Sequence, residues 1–275
     1  MHCFLPILAA LLAQADPTSR SRNQPVEPFK LIGNIHYVGA NEITSFLVTT
    51  PQGHILLDGG FVETVPQILA NIRKLGFRPE DVKVLINSHA HLDHAGGLAE
   101  LKSVTGASLA VMQGDAEQVA RGGRGDFAFG DTLAFPAVRP DRVLHDGDLV
   151  ALGGTTLKAV RTPGHTKGCT SWTMTASDQG RRFEVVFVCS TTAPGYRLKG
   201  NAAYPTIVDD FRASFRILEG LPCDVYLGSH GSFFHLHEKM ERLRNGDSSA
   251  FVDPAGYRRF LAASRESFEQ QLRAK

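Results

Sequence analysis

The stretch NSHAHLDHAGG, residues 87–97, follows the apolar run VKVLI and sets three histidines and one aspartate within six positions. VKVLINS reads as a buried strand from its aliphatic, β-branched content. The cluster therefore falls at the C-terminal end of a strand, the edge where α/β folds hold ligands. His89 and His91 alternate with Ala90, so in extended backbone both side chains leave on one face. Asp93 and His94 come off the turn into a helix opening at about Ala95 and can face a second point close by. Neutral imidazoles with a carboxylate suit zinc, and such a cluster can chelate two cations. Scattered surface histidines do not explain this density at a strand end.

Working outward, PFKLIGNIHYVGA, TSFLVTT and HILLDGG read as strands before the cluster. ETVPQILANIRKLG places Val65, Ile68, Leu69, Ile72 and Leu75 on one helical face and stops at Gly76, a left-handed cap. GGLAELKSVTG reads as a helix too. Beyond lie the hairpin-like VALGG/TTLKAVRT, the strand pair CTSWTMTA and RRFEVVFVC, and a helix from about Thr206 to Leu218. The strand CDVYLGS and a terminal helix from about Pro254 to Arg273 complete the chain. Two halves of similar content follow one another without a long polar linker. The simplest packing is two mixed β-sheets face to face with helices outside, an α/β sandwich in four layers, αββα.

Two further histidines follow strands: His165 in TPGHTKG and His230 in LGSH. The candidate ligands thus converge on one edge of the sheets. His36, His54, His145, His235 and His237 have no motif around them and read as surface or core residues. Asp58, after the strand HILL and before two glycines, is assigned to hydrogen bonds that hold the ligand loop. Residues 122–141, GGRGDFAFGDTLAFPAVRPD, form a long aperiodic loop. Phe127, Phe129 and Phe135 argue against a purely solvated one, and Phe127 and Phe129 are expected to line the approach to the metals.

Composition bounds the function. The chain has 275 residues, 43% hydrophobic, and Lys+Arg 29 against Asp+Glu 28, so no electrostatic case for nucleic acid exists. CFLPILAALLA near the start is too short to span a bilayer and fits the hydrophobic part of a secretory signal ending at Ala13-Gln14-Ala15. Residues 1–15 read as signal peptide and 16–275 as one domain of a periplasmic protein, a monomer with no membrane partner. Removing Cys3 leaves Cys169, Cys189 and Cys223. Around a turn centred near Gln179, Cys169 and Cys189 lie at equal distance, so a regular register would make them cross-strand neighbours able to bridge.

HAHLDH, PGHTKG and GSH, with the early LLDGG, resemble the metallo-β-lactamase superfamily over nearly the whole mature chain. Within it the run from Ser190 to Gly231, together with a histidine system at the second metal, is most similar to the third subclass of class B β-lactamases. The resemblance implies two Zn2+ per chain, the first held by His89, His91 and His165, the second by Asp93, His94 and His230. It implies hydrolysis of a small-molecule β-lactam (penicillin, cephalosporin, carbapenem) by a hydroxide on the zinc pair without an acyl-enzyme, hence antibiotic resistance. Asp93 would orient that nucleophile, and Ser190 and Thr192 would meet the substrate carboxylate. Glyoxalase II and many lactonases of the superfamily carry a bridging aspartate after the strand that here ends VVFV, and CSTTAPG has no acid there. A lactonase or thioesterase using the same metals, or a non-catalytic zinc protein, are the other readings.

Overall fold

The computed structural model describes residues 21–274; the expected signal segment and Cys3 lie outside them. β1 (Phe29–Ile32), β2 (Ile35–Tyr37), β3 (Phe46–Thr50) and β4 (Gly53–Leu57) pair antiparallel in chain order. β5 (Val82–Ile86), β6 (Ser108–Met112) and β7 (Arg142–Leu144) extend that sheet in parallel. The second sheet has the order β12-β11-β10-β9-β8, from β8 (Leu149–Leu152), β9 (Thr155–Arg161), β10 (Thr170–Asp178), β11 (Arg181–Val188) and β12 (Val225–Gly228). Only its β11–β12 pairing is parallel. The helices are α1 (Val65–Lys74), α2 (Leu92–Ala95), α3 (Leu98–Thr105), α4 (Gln113–Ala120), α5 (Ile207–Glu219), α6 (Leu236–Arg244) and α7 (Pro254–Ala274).

The period-two pattern of the strands sorts side chains between layers. In β3 and β4, Phe46, Val48, Ile55 and Leu57 point to the core between the sheets, where they join Leu157, Trp172, Val185 and Phe187. Leu47 and Leu56 point the other way, onto a second core with Val65, Ile68 and Ile72 of α1 and Leu98 and Leu101 of α3. Each such fully buried aliphatic side chain contributes about 1.5–3 kcal/mol. β11 and β12 are buried on both faces, and Val186 and Tyr226 share a cluster with Leu218 of α5 and Leu261 of α7. Two mixed sheets flanked by helices result, as the sequence implied.

Local signals end the elements where expected. Gly76 closes α1 at φ 86°, a backbone only glycine adopts freely. The β8–β9 and β10–β11 hairpins turn through Gly153-Gly154 and Gln179-Gly180, all four at positive φ, the turn whose twist matches paired strands. Two expectations need correction. The helix after the histidine cluster does not open at Ala95. A single turn, α2, already holds Asp93 and His94, and Gly96-Gly97 separates it from α3. A Cβ on Gly97 would lie 2.3 Å from the Gly59 carbonyl oxygen, so this break lets the DGG and AGG loops touch.

The second correction concerns register. Asp178 pairs with Arg181 and Trp172 with Phe187, so the turn is centred between Gln179 and Gly180 and Cys169 and Cys189 are not directly opposite. They sit just beyond the strand ends, where pairing no longer fixes them face to face, and there they are joined with Cα atoms 5.9 Å apart. Cys223 remains free. Protein lacking residues 1–15 should therefore show one reactive thiol when denatured without reductant and three after reduction. Replacing both bonded cysteines by Ser, which reopens a span of 20 residues, should lower unfolding free energy by about 3 kcal/mol. Three thiols before reduction would refute the bridge.

Candidate metal centre

Strand ends of both sheets meet at the histidine cluster. After β5, the Asn87 carbonyl accepts the Trp172 indole N–H at 3.1 Å, and the Ser88 carbonyl accepts the Thr170 N–H at 2.8 Å. These two bonds clamp the ligand loop of the first sheet to β10 of the second. His89 and His91 follow, and His91 stands in extended backbone as the N-cap of α2. His165 follows β9 and His230 follows β12. All five imidazoles, those of His89, His91, His94, His165 and His230, are buried.

Hydrogen bonds settle which nitrogen each ring offers. Asp58 ends β4 at φ 66°, a left-handed conformation that Asp tolerates better than most residues. Its carboxylate accepts the Ser88 N–H at 2.6 Å, the Ser88 hydroxyl at 2.7 Å and the His94 Nδ1–H at 3.1 Å. With its own proton given to Asp58, the Ser88 oxygen accepts from His89 Nδ1 at 3.0 Å. His165 Nδ1–H donates to the Thr192 carbonyl at 2.7 Å. In each case Nδ1 makes the bond to the protein frame and Nε2 is the nitrogen turned toward a cation. His91 is turned the other way: its Nδ1 lies 3.1 Å from His165 Nε2, and its Nε2 lies 3.7 Å from Asp126 Oδ2.

Donor atoms of His89, His91 and His165 lie within 4.8 Å of one another, as do those of His89, Asp93 and His94. His89 Nε2 and His94 Nε2 are buried without a hydrogen-bond partner among the described residues. An orphaned buried polar atom is costly in an apolar setting, and a metal ion bound there removes that cost. The residues therefore fit a metal centre. His230 reaches its edge: the ring centroid is 5.0 Å from that of His94, and Nε2 is 3.9 Å from Asp93 Oδ2.

Charge follows burial. Burial first, then the neighbouring histidines, holds His89 well below the usual imidazole range. Burial and His91 lower His165 to about 3. Burial and His94 push His230 down as well. These rings are neutral, as ligands must be. For Asp93, burial works the other way but is outweighed by the neighbouring charge of His94, which holds the carboxyl well below its ordinary value. His94, despite its burial, rises to about 9 between Asp93 and Asp58, so without a metal it holds a second proton, on Nε2, which a bound cation would have to displace.

Several residues that the sequence reading did not single out support the centre. Asp115, in α4 after β6, accepts from Ala90 N–H at 2.9 Å, Thr166 Oγ1–H at 2.7 Å and Gly168 N–H at 2.7 Å, tying the loops of His91 and His165 together. Its place after a parallel strand on the ligand edge was a usable signal. Asp126, from the glycine-rich loop, faces His91. Arg22 reaches Asp93 and His230 from far upstream, and nothing in its neighbours marks it. A pocket of about 370 Å³ opens over the donors, lined by Arg22, Asp93, Phe129, Thr192, His230 and Phe233 among others.

The expected contacts with substrate separate here. Phe129 lines that pocket and lies 5.6 Å from the His91 ring. Phe127 packs on Tyr196 and Tyr204 at 5.1 and 5.0 Å instead and does not line that pocket, although Phe129 also touches Tyr196 at 5.7 Å. Thr192 is exposed at the pocket, whereas Ser190 is buried with its hydroxyl 3.1 Å from that of Thr192. His36 and His54 pack on Phe77 at 5.2 and 4.9 Å, away from the centre, and His235 caps α6.

Residues 38–230 match the family model described as the metallo-beta-lactamase superfamily. The chain belongs to that superfamily. It superimposes on the native FEZ-1 metallo-β-lactamase from Legionella gormanii with a TM-score of 0.90 and 41% identity, covering 92% of this chain and 97% of that one. For BJP-1, a subclass B3 metallo-β-lactamase of Bradyrhizobium japonicum, the values are 0.87, 41%, 92% and 96%. For LRA-12, a class B3 di-zinc metallo-β-lactamase from an Alaskan soil metagenome, they are 0.87, 33%, 93% and 97%. Within the superfamily the chain is thus most like the B3 enzymes. Curated relatives are spanned only in part: a probable metallo-hydrolase of Burkholderia pseudomallei strain 1710b is 33% identical over 109 residues, 40% of this chain and 36% of that protein. The hydroxyacylglutathione hydrolase of Rhodospirillum rubrum is likewise covered over 31% of its length.

Asp58→Asn, which keeps the left-handed backbone accessible but removes the charge, should weaken metal uptake about 10- to 100-fold, read by competition with a chromophoric chelator. Asp115→Ala leaves three buried donors without an acceptor and should cost several kcal/mol, at about 1–3 kcal/mol for each, read by denaturant unfolding. Wild-type values for both would remove these carboxylates from the account.

Proposed function

We propose that the protein is an exported di-zinc β-lactamase that opens the amide of β-lactam antibiotics without an acyl-enzyme. One observation carries this reading: two adjacent sets of donors, all buried except the half-buried Asp93, share His89 beneath an open pocket. When bound there, zinc supplies Lewis acidity and an activated water at neutral pH. His89, His91 and His165 would hold one ion, and Asp93, His94 and His230 the other.

The chain's own groups do the rest. Asp93, kept ionised beside His94, aims the attacking water through its free carboxylate oxygen. Phe129, Leu133, Pro194 and Phe233 give the pocket apolar walls that exclude bulk water around the scissile amide. Thr192 offers a hydroxyl at the same rim, and Ser190, beneath it, acts by holding Thr192 and not by direct contact. Cys189, beside the site, is buried in its bond to Cys169 and so is not available as a nucleophile for acyl transfer.

That bond also bears on the competing hydrolases. The position after β11 carries no carboxylate to bridge two metals; a disulfide sulfur stands there, 3.3 Å from the Ser88 carbonyl oxygen. This favours the β-lactamase over a lactonase or thioesterase. A buried disulfide belongs with an oxidising compartment such as the periplasm, and among the described residues no helix is long and apolar enough to cross a membrane. All donors come from one chain, so a monomer completes the site.

Purified protein should hydrolyse a penicillin, a cephalosporin and a carbapenem, lose activity to a chelator, regain it with zinc and be indifferent to serine-directed inhibitors. Phe129→Ala should raise KM more than it lowers kcat, while Phe127→Ala should act mainly on stability. Asp93→Ala should lower kcat by orders of magnitude, and Ser190→Ala far less. Turnover of a thioester or an acyl-homoserine lactone with none of any β-lactam would replace this reading by the other hydrolase.

A further inference from the structure

Arg22 is the one residue of the pocket whose chemistry opposes a metal. Its Nη2 lies 2.8 Å from His230 Nδ1, 3.4 Å from His230 Nε2 and 3.4 Å from Asp93 Oδ2. The contact is built from the backbone up. The Arg22 carbonyl accepts the Glu42 and Ile43 N–H groups at 3.3 Å each, and the Gln24 carbonyl accepts the Asn41 N–H at 2.9 Å. Asn41 Nδ2 donates to the Ser21 carbonyl at 3.0 Å, and Asn23 Oδ1 accepts the Thr64 hydroxyl at 2.7 Å. On its far side the same loop binds the His230 segment, since Gly231 N–H donates to the Glu42 carbonyl at 2.8 Å. Arg22 and His230 are thus held to opposite sides of residues 41–43, with the guanidinium between His230 and Asp93.

A guanidinium is permanently charged, has no lone pair and only donates. A neutral imidazole has one lone pair. When His230 accepts the Arg22 N–H at Nδ1, its own proton sits on Nε2, the nitrogen that faces Asp93, and that nitrogen can no longer bind a cation. The Asp93 oxygen that faces Arg22 is the one nearest His94 Nε2, at 3.5 Å. The guanidinium therefore occupies two of the three groups assigned to the second metal. It also places a fixed positive charge within a few ångströms of where a dication's charge would sit. Among the described residues no fixed cation contacts His89, His91 or His165: their partners are Ser88, Cys189, the Thr192 carbonyl, Tyr196, Asp126 and, between His91 and His165, each other.

We propose that Arg22 is a built-in competitor of the second metal ion, so that the chain fills its two metal positions in sequence, the second only when the guanidinium is displaced from Asp93 and His230. The inference rests on the two-metal reading above for the identity of the competing cation. Displacement is open to Arg22, whose side chain is 35% exposed and lies beside the Glu42 carboxylate at the same rim.

The test is a zinc titration of metal-free wild type, Arg22→Ala and Arg22→Lys against a chromophoric chelator, with circular dichroism to verify that each is folded. The backbone bonds that anchor residues 21–24 survive both changes. In Arg22→Ala the second binding step should tighten by about tenfold or more while the first moves little, the scale at which neighbours of metal ligands tune affinity. Arg22→Lys keeps a cation without the planar fork and should fall between the other two. Two zincs bound with the same second constant in wild type and Arg22→Ala, or a weaker one in the variant, would overturn the inference and leave the two-metal reading standing. A single zinc in every protein would overturn both.

Discussion

The centre depends on the Asp58 carboxylate. Held at the end of β4 in a left-handed backbone, it receives the Ser88 N–H, the Ser88 hydroxyl and His94 Nδ1–H. Each bond has a consequence beyond itself. The first ties β4 to the chain leaving β5, the second turns Ser88 into an acceptor for His89, and the third fixes the tautomer of His94. Two rings thereby present Nε2 to the same space. The carboxylate also supplies part of the charge that, with Asp93, lifts His94 to about 9, so the same negative charges that hold a proton there would favour a metal cation in its place.

Around this point the fold acts as a frame with several independent ties. Asp115 joins the loops of His91 and His165; the Trp172 indole and the Thr170 amide join the two sheets; the Cys169–Cys189 bond closes the ends of β10 and β11 directly beneath His89. Such redundancy suits a site made of desolvated imidazoles. Those of His89, His165 and His230 repel protons because they are buried together, and buried rings without such ties would lower their cost by turning toward water. The tied floor contrasts with the rim, where Phe129 and Thr192 come from loops and Arg22 from helical backbone at residues 21–22.

Gly59 and Gly97 show how economy of side chain serves chemistry. With no Cβ on either, the Gly59 N–H reaches the His94 carbonyl at 2.8 Å and the Gly97 N–H reaches the Gly60 carbonyl at 3.1 Å. The loop carrying Asp58 is thus laced to the turn carrying His94 by backbone alone, and the side-chain bond between them is held at its short length.

The donor residues, the strand-end rule and the alternation of apolar side chains are local properties, legible because spacing along the chain dictates direction: His89 and His91 share a face in any extended backbone, and Leu47 and Leu56 oppose Phe46 and Ile55 in any strand. The four layers follow from that alternation, since β3 and β4 need cover on both faces. What local pattern does not contain is who approaches from elsewhere. The packing of Phe127 on Tyr196 and Tyr204, the role of Asp115 and the arrival of Arg22 all depend on segments distant in sequence meeting in space. Arg22 and His230 are separated by 208 positions. Only the folded chain, by pairing residues 21–24 and Gly231 with the same loop, brings a guanidinium to the lone pair of that histidine.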